Sequence, residues 1–265
     1  MADATGFHLT GSAPQRYEHY VAPLMAPFVT ALVDAADLYP GATVLDLACG
    51  TGFAARAAAA QAGPTGRVAG ADVNEGMLKI ALACHPRLYP DIDFTAAPAH
   101  DLPYPDAAFD AVLCQQGAQF FPDLDAALTE TARVTRPDGR FAATVWARLD
   151  DSPYFTAQYR ALERHGTPEA AAGYRTAFMA ADRLTTALDR AGFRSTARRD
   201  LTFAITLPPL EDYVTGHLSA IPWGQTLVEA GGEQALTSVA DTIRTHLPDD
   251  TTTFPFTATL VTAVR

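Results

Sequence analysis

At 265 residues and 48% apolar, the chain suits one large globular domain or two modest ones, and no apolar run is long enough to cross a bilayer. Its net charge of −11, with Lys79 the only lysine, excludes the clustered positive charge that nucleic acid and anionic membrane surfaces demand. The expected partner is a small diffusible molecule, with the oligomeric state, monomer or homodimer, left open.

Residues Met1 to Pro14 lack the charged-then-apolar build of a signal peptide, which points to the cytoplasm. From Tyr17 to Leu38 the apolar residues recur at helical spacing, and Pro40-Gly41 ends that pattern. Thr43 to Leu47 reads as a first strand, Phe53 to Ala62 as an alanine-rich helix stopped by Gly63-Pro64, and Arg67 to Val73 as a second strand. Asn74 is placed to cap the next helix, with Glu75 in its first turn. A third strand is expected at Ile92 to Ala96, a fourth from Ala111, a helix at Asp123 to Val134, a turn at Arg136 to Gly139 and a fifth strand at Phe141 to Trp146. Beyond Trp146 come helices at Tyr154 to Glu163 and Ala181 to Ala191, a strand around Thr196 to Ile205, helices between Leu210 and Leu247, and a strand-like C-terminus. Strands alternating with helices and without hairpin turns imply an α/β fold, a mostly parallel sheet covered on both faces. Cys49, Cys84 and Cys114 form no zinc-like pair and read as reduced thiols.

The informative stretch is Val44 to Gly52, "VLDLACGTG", a buried-looking strand that carries Asp46 and runs into Gly50 and Gly52. In an open α/β sheet, ligands bind where the first strand turns into the first helix, and glycines let the backbone approach them. Asp72, about twenty residues beyond Gly52, stands where an acidic side chain takes two ribose hydroxyls. Those features alone fit a nicotinamide cofactor, since Gly50 to Ala55 satisfies the G-x-G-x-x-A form. A pyrophosphate, however, gains nothing from a carboxylate just upstream, whereas a cationic cofactor does.

Through "VLDLACGTG", "GADVNEGML", "HDLPYPDAAFDAVLCQQG" and "ETARVTRPDGRF", the chain resembles class I S-adenosylmethionine-dependent methyltransferases over roughly Gly41 to Trp146. The similarity is to the ubiquinone/menaquinone-biosynthesis C-methyltransferase branch and to small-molecule tailoring enzymes. It implies a Rossmann-like sheet of seven strands with the last antiparallel, and a helical lid made from insertions. The single domain would then have its core at about 38–147, 180–206 and 251–265, and its lid and substrate region at about 1–37, 148–179 and 207–250. The resemblance implies S-adenosyl-L-methionine as cofactor, held by Asp46, Ala48, Gly50 and Gly52 in the loop and by Asp72 at the ribose. Val73 or Met77 would pack on the adenine, and the Ala99 amide with His100 or Asp101 would meet its edge. Gln115, Gln116 and Tyr17 complete the expected set. Two departures from the pattern are Ala48, where the family usually has glycine, and Pro98, where an acidic residue often accepts from the adenine amino group.

The fourth strand ends in Gln115-Gln116 rather than in a carboxylate or an Asn/Asp-Pro-Pro-aromatic run, so no metal and no nucleobase substrate are expected. The inserts carry Tyr154, Phe155, Tyr159, Tyr174, Phe178, Tyr213 and Trp223, and an aromatic cleft suits a medium-sized organic acceptor at O, N or C. His217 and then His165 are the candidate general bases, from histidine's pKa range and their place in the inserts. Two alternatives stay open. One is an enzyme on the same scaffold that binds the cofactor but catalyses a rearrangement or cyclisation without methyl transfer; the other, less favoured, is an NAD-dependent reductase.

Overall fold

Thr43–Leu47 (β1) and Phe109–Gln115 (β4) lie side by side at the centre of a seven-stranded sheet, and both are buried along nearly their whole length. Strands covered on both faces need apolar residues on both, which is why they read as unbroken apolar runs. Ala111 and Leu113 join a hydrophobic cluster with Phe28, Leu32 and Ala58, whereas Val112 and Cys114 join another with Leu128, Leu184 and Leu188. The alternation is the pleat of a strand between two layers.

The computed structural model describes residues 9–84, 91–178, 180–248 and 251–265. Residues 1–8, part of the stretch read for a leader, lie outside the described residues. Arg67–Asp72 (β2) runs parallel to β1, and Ile92–Ala96 (β3) runs parallel to β2. On the other side Thr135–Trp146 (β5) runs parallel to β4. Thr253–Val264 (β7) then lies antiparallel between β5 and the outer strand Arg194–Thr206 (β6). The order is β3-β2-β1-β4-β5-β7-β6, the mostly parallel sheet with an antiparallel last strand. It reverses direction between β1 and β4, and the crevice at such a point is where α/β sheets bind ligands.

The helices among the described residues are Ala13–Tyr20 (α1), Ala26–Ala35 (α2), Phe53–Ala62 (α3), Glu75–Cys84 (α4), Leu124–Val134 (α5), Pro153–His165 (α6), Pro168–Thr176 (α7), Ala180–Arg190 (α8), Leu210–Ser219 (α9) and Pro222–Thr245 (α10). None of them is long and apolar enough to cross a membrane. The expected helix from Tyr17 to Leu38 is instead two, separated by a 3-10 turn at Ala22–Met25. Pro23 and Pro27 cause the break, because proline has no N–H to continue the ladder and starts a helix more readily than it continues one. Helix α7 was absent from the sequence reading, although Thr167 before Pro168 is a helix start, its hydroxyl accepting from the Ala170 N–H at 3.2 Å.

Helices α2, α3 and α6 cover one face of the sheet, while α5 and α8 cover the other. The buried stripe of α3 is Ala54, Ala55, Ala58, Ala59 and Ala62, small side chains that bring the helix close to β1 and β2. Asp123 caps α5 by accepting from the Ala126 N–H at 2.9 Å. Helices α1, α6, α7, α9 and α10 pack on one another above the carboxyl ends of the parallel strands. Beneath them Phe28, Tyr154 and Phe256 are fully buried; Phe155 touches the rings of Tyr154 and Phe256, and Trp146 joins it to Phe28. Helix α10 kinks at Gly232, whose φ is 69°.

Phe94 of β3 lies so close to β2 that a Cβ at Gly70 would stand 2.6 Å from its Cδ1 and 2.9 Å from Cys49 Sγ. Gly70→Ala is therefore expected to cost about 1–3 kcal/mol, the usual penalty of overpacking. Urea unfolding measures it, and Phe94→Leu in the same chain should recover part of the loss. An unchanged midpoint would mean that this side of the sheet yields to the extra methyl.

Candidate active site

The loop between β1 and α3 turns through alternate left-handed residues, Ala48 (φ 56°), Gly50 (φ 54°) and Gly52 (φ 79°). Gly52 stands at the N-cap of α3, and a Cβ there would meet Phe94 Cζ at 2.7 Å, so both its conformation and its surroundings require glycine. Ala48 holds the same class of conformation with a Cβ, which costs about 1–2 kcal/mol. The loop is tied to β2 by Asp72, whose Oδ2 accepts from the Gly50 N–H at 2.8 Å and whose Oδ1 accepts from the Asn74 N–H at 2.8 Å. Asn74 in turn caps α4, accepting from the Gly76 N–H at 2.9 Å.

Asp46 is fully buried in β1. Its Oδ2 accepts from the Ala55 N–H at 2.7 Å, while its Oδ1 has no hydrogen-bond partner. Burial pushes this carboxyl up to about 7 against the pull of the Ala55 amide; Asp72 adds to the rise and Arg56 opposes it. Arg56 is itself engaged, donating to Thr51 O at 2.7 Å and pairing with Glu18 at 2.8 Å. Burial, reinforced by Asp72, also pushes the Tyr17 phenol above its ordinary range, so it is neutral.

These groups open into one cavity of about 320 Å³ in the crevice between β1 and β4. Every expected cofactor residue except Gly52, and Asp101 as the alternative to His100, lines it: Asp46, Ala48, Gly50, Asp72, Val73, Met77, Ala99, His100, Gln115, Gln116 and Tyr17. Gly52 acts one layer back, by turning the chain. At the end of β4, Gln116 sits in the left-handed region (φ 50°) and its Oε1 accepts from Gln119 Nε2 at 2.8 Å. The side-chain amide nitrogens of Gln115 and Gln116 are buried without partners, as is the Thr51 hydroxyl. Unsatisfied buried polar atoms are costly, and four of them around one cavity, Asp46 Oδ1 included, point to a polar ligand that completes them.

The far wall comes from the lid. Of the aromatic residues expected there, Phe155, Tyr174, Phe178 and Trp223 line the cavity, whereas Tyr154, Tyr159 and Tyr213 pack behind it. His217 reaches the cavity and is 4% exposed. Its Nδ1 lies 2.8 Å from Gln158 Nε2 and 3.3 Å from Tyr154 OH, and burial alone pulls the ring down to about 3, so it is neutral at ordinary pH. His165 lies elsewhere: it is exposed, and its Nε2 is 2.8 Å from Thr242 Oγ1, linking α6 to α10. Thr51, Gln158, Phe120 and Trp146 also line the cavity and went unread in the sequence. Gln158 had a signal, a lone polar residue on the buried stripe of α6 formed by Tyr154, Phe155, Ala161 and Leu162.

Residues 45–143 match the family model described as "Methyltransferase domain". The ubiquinone/menaquinone biosynthesis C-methyltransferase of Hydrogenovibrio crunogenus is 34% identical over 119 residues, 44% of this chain and 47% of that protein. The nocamycin O-methyltransferase of Saccharothrix syringae is 35% identical over 119 residues, 44% of this chain and 42% of that protein. The chain thus spans under half the length of these curated relatives. Among solved structures, the YcgJ protein of Bacillus subtilis superposes with a TM-score of 0.61 at 20% identity, covering 91% of this chain and 98% of that one. The Haemonchus contortus phosphoethanolamine N-methyltransferase 2 in complex with S-adenosyl-L-methionine gives 0.62 at 16%, covering 97% and 57%. The [4+2]-cyclase SpnF gives 0.57 at 20%, covering 98% of each. Residues 45–143 are thus similar to a methyltransferase domain, and the chain shares the overall fold of these solved structures.

Two substitutions test the strain in this loop. Because its folded pKa is raised, the stability that Asp46 contributes is complete below its unfolded pKa and is lost as the pH rises through about 7. Asp46→Asn should therefore raise the unfolding free energy at pH 8 by about 1–3 kcal/mol, with the gain shrinking towards pH 5. A gain independent of pH in urea titrations would show that desolvated charge is not its cause. Ala48→Gly should raise the melting temperature slightly, by up to about 1 kcal/mol of stability, since release from the left-handed strain outweighs the added backbone freedom.

Proposed function

We propose that the protein transfers a methyl group from S-adenosyl-L-methionine to a small, largely apolar organic molecule. The observation that carries this reading is Asp46: a fully buried carboxylate whose free oxygen sits in a ligand cavity beside a glycine loop. A dinucleotide would bring phosphates to this loop, and the carboxylate would repel them; a cofactor with an ammonium and a sulfonium brings the opposite charge. Asp72 lines the cavity at the end of β2, where a carboxylate suits a pair of ribose hydroxyls. Val73 and Met77 offer apolar contact for the adenine, the Ala99 backbone and His100 lie at its edge, and the amides of Gln115 and Gln116 supply unused donors for a carboxylate.

When bound, the cofactor supplies the activated carbon itself. What the chain adds is alignment and exclusion of water, and proximity with orientation supplies about 7–11 kcal/mol of barrier reduction in well-aligned reactions. Phe155, Tyr174, Phe178 and Trp223 form an apolar wall for the acceptor. The names of the two relatives, one a C-methyltransferase and one an O-methyltransferase, support a small organic acceptor and are compatible with a tailoring step inside the cell.

The test is calorimetric titration with S-adenosylmethionine, S-adenosylhomocysteine and NADH. Binding of the first two, lost in Asp72→Ala, with no binding of NADH, is the expected result; NADH binding alone would overturn the reading. Acceptors are then screened by product mass. A converted acceptor without an added methyl would move the chain to the rearranging chemistry that the cyclase name among its structural neighbours illustrates.

Affinity for S-adenosylmethionine should also rise with pH up to about 7 and level off above it, because the charged form of Asp46 is the one that binds a cation. Below that point the slope approaches about tenfold per pH unit, with one proton released on binding. Titrations at pH 6 in buffers of different ionisation enthalpy count that proton. A flat profile with no proton released would remove Asp46 from cation binding.

A further inference from the structure

We infer that His217 is a neutral hydrogen-bond donor, its Nε2–H presented to the cavity to hold a carbonyl oxygen of the substrate next to the atom that receives the methyl group. The inference rests on the methyltransferase reading and deepens it by naming what the acceptor must carry.

The tautomer follows from the hydrogen-bond chain behind the ring. Tyr174 OH donates to Gln158 Oε1 at 2.7 Å, which leaves the amide nitrogen of Gln158 facing His217 Nδ1 at 2.8 Å. An amide nitrogen only donates, so Nδ1 accepts. Tyr154 OH, fully buried, lies 3.3 Å from the same Nδ1 and its hydroxyl can donate there as well. The Gln158 donor on Nδ1 leaves the ring proton on Nε2. Among the described residues no hydrogen bond reaches Nε2, and His217 lines the cavity. The titratable neighbours are Tyr154 on α6 and Tyr213 on its own helix α9, the latter stacked on the imidazole at 5.4 Å between ring centroids. Both phenols are held neutral by burial, and no charged side chain enters the shift of His217.

A ring fixed in this way is a poor base on its cavity side, because the nitrogen facing the substrate already carries the proton. It is instead a donor of fixed direction in an apolar wall, where one hydrogen bond discriminates strongly between substrates with and without an acceptor. A donor aimed at the nucleophilic oxygen itself would withdraw electron density from it. The oxygen it holds is therefore a neighbouring carbonyl or, for a carbon acceptor, the oxygen of the enolate. Gln158 and Tyr154 are positioning residues, acting through the imidazole.

The experiment is ¹⁵N NMR of the full chain labelled at histidine. His217→Gln assigns the resonance; if that variant does not fold, contacts to the Tyr154 and Tyr213 rings assign it instead. The expected result is the Nε2–H tautomer, unchanged from pH 5 to pH 8, with mixed tautomers in Gln158→Leu. With S-adenosylhomocysteine present, 1-tetralone should shift the Nε2–H proton while tetralin, its match without the carbonyl, should not. Affinity for 1-tetralone alone should fall about tenfold in His217→Phe, the worth of one hydrogen bond. An imidazolium or an Nδ1–H form in that pH range, or the same response to both probes, including no response, would overturn the inference. S-adenosylhomocysteine binding in the same samples reports on the methyltransferase reading separately, so failure of one is distinguishable from failure of the other.

Discussion

The rest of the site is arranged around one unfavourable fact, a carboxylate carried to the middle of the sheet with only one of its two oxygens satisfied. In an interior of low dielectric such a group is tolerated only when something outside the chain completes it, or when it takes up a proton. Asp46 does the second when alone, since burial lifts its pKa to about 7. The neighbouring geometry keeps it poised. The Ala55 amide at the start of α3 holds one oxygen, Arg56 is turned away to Glu18 and to the backbone of Thr51, and the other oxygen has no hydrogen-bond partner in a residue that lines the cavity. Had Arg56 paired with Asp46, that carboxylate would have no oxygen left without a partner.

The same logic explains why the loop is strained where it is. Ala48, Gly50 and Gly52 alternate in the left-handed region, so the loop curls under the cavity and then enters α3 without a side chain in the way. Asp72 holds that curl from the next strand by accepting from the Gly50 N–H. Its carboxylate therefore shapes the loop and also lines the cavity beside it, and loss of the side chain would disturb both. Strain of a kcal/mol or so at Ala48 persists because the surrounding strands over-determine the turn.

What could be read from the sequence divides along the same line as the cavity. The loop side was legible because its residues are local: Asp46, Gly50 and Asp72 sit at strand ends whose spacing follows from the strand–helix–strand unit. Strand and helix limits there agree with the structure to within a residue or two, since apolar runs between glycines leave little freedom. The lid side was not legible, because α6, α9 and α10 meet only in three dimensions. His165 and His217 look alike in sequence, yet one ends up exposed beside Thr242 and the other in the cavity wall. Gln158 gives no motif, and its role depends on Tyr174 from the next helix. At the break near Val21 and at the helix beginning with Pro168, start signals carried by proline and threonine override apolar periodicity.

The two walls of the cavity also differ in kind, and that difference bears on how the fold is used. The loop wall carries Asp46 and Asp72, each hydrogen-bonded to backbone amides, so a change there is felt by the strands themselves. The lid wall is mostly apolar, and its polar groups, His217 with Gln158 and Tyr174, are linked to one another by side-chain hydrogen bonds. A lid of this construction can exchange its polar contacts without disturbing the sheet. Proteins of this fold can therefore keep one cofactor loop while acceptors, and even reaction types, diverge. For this chain the physical signature of its acceptor must then lie in the Tyr174–Gln158–His217 chain rather than in the glycine loop.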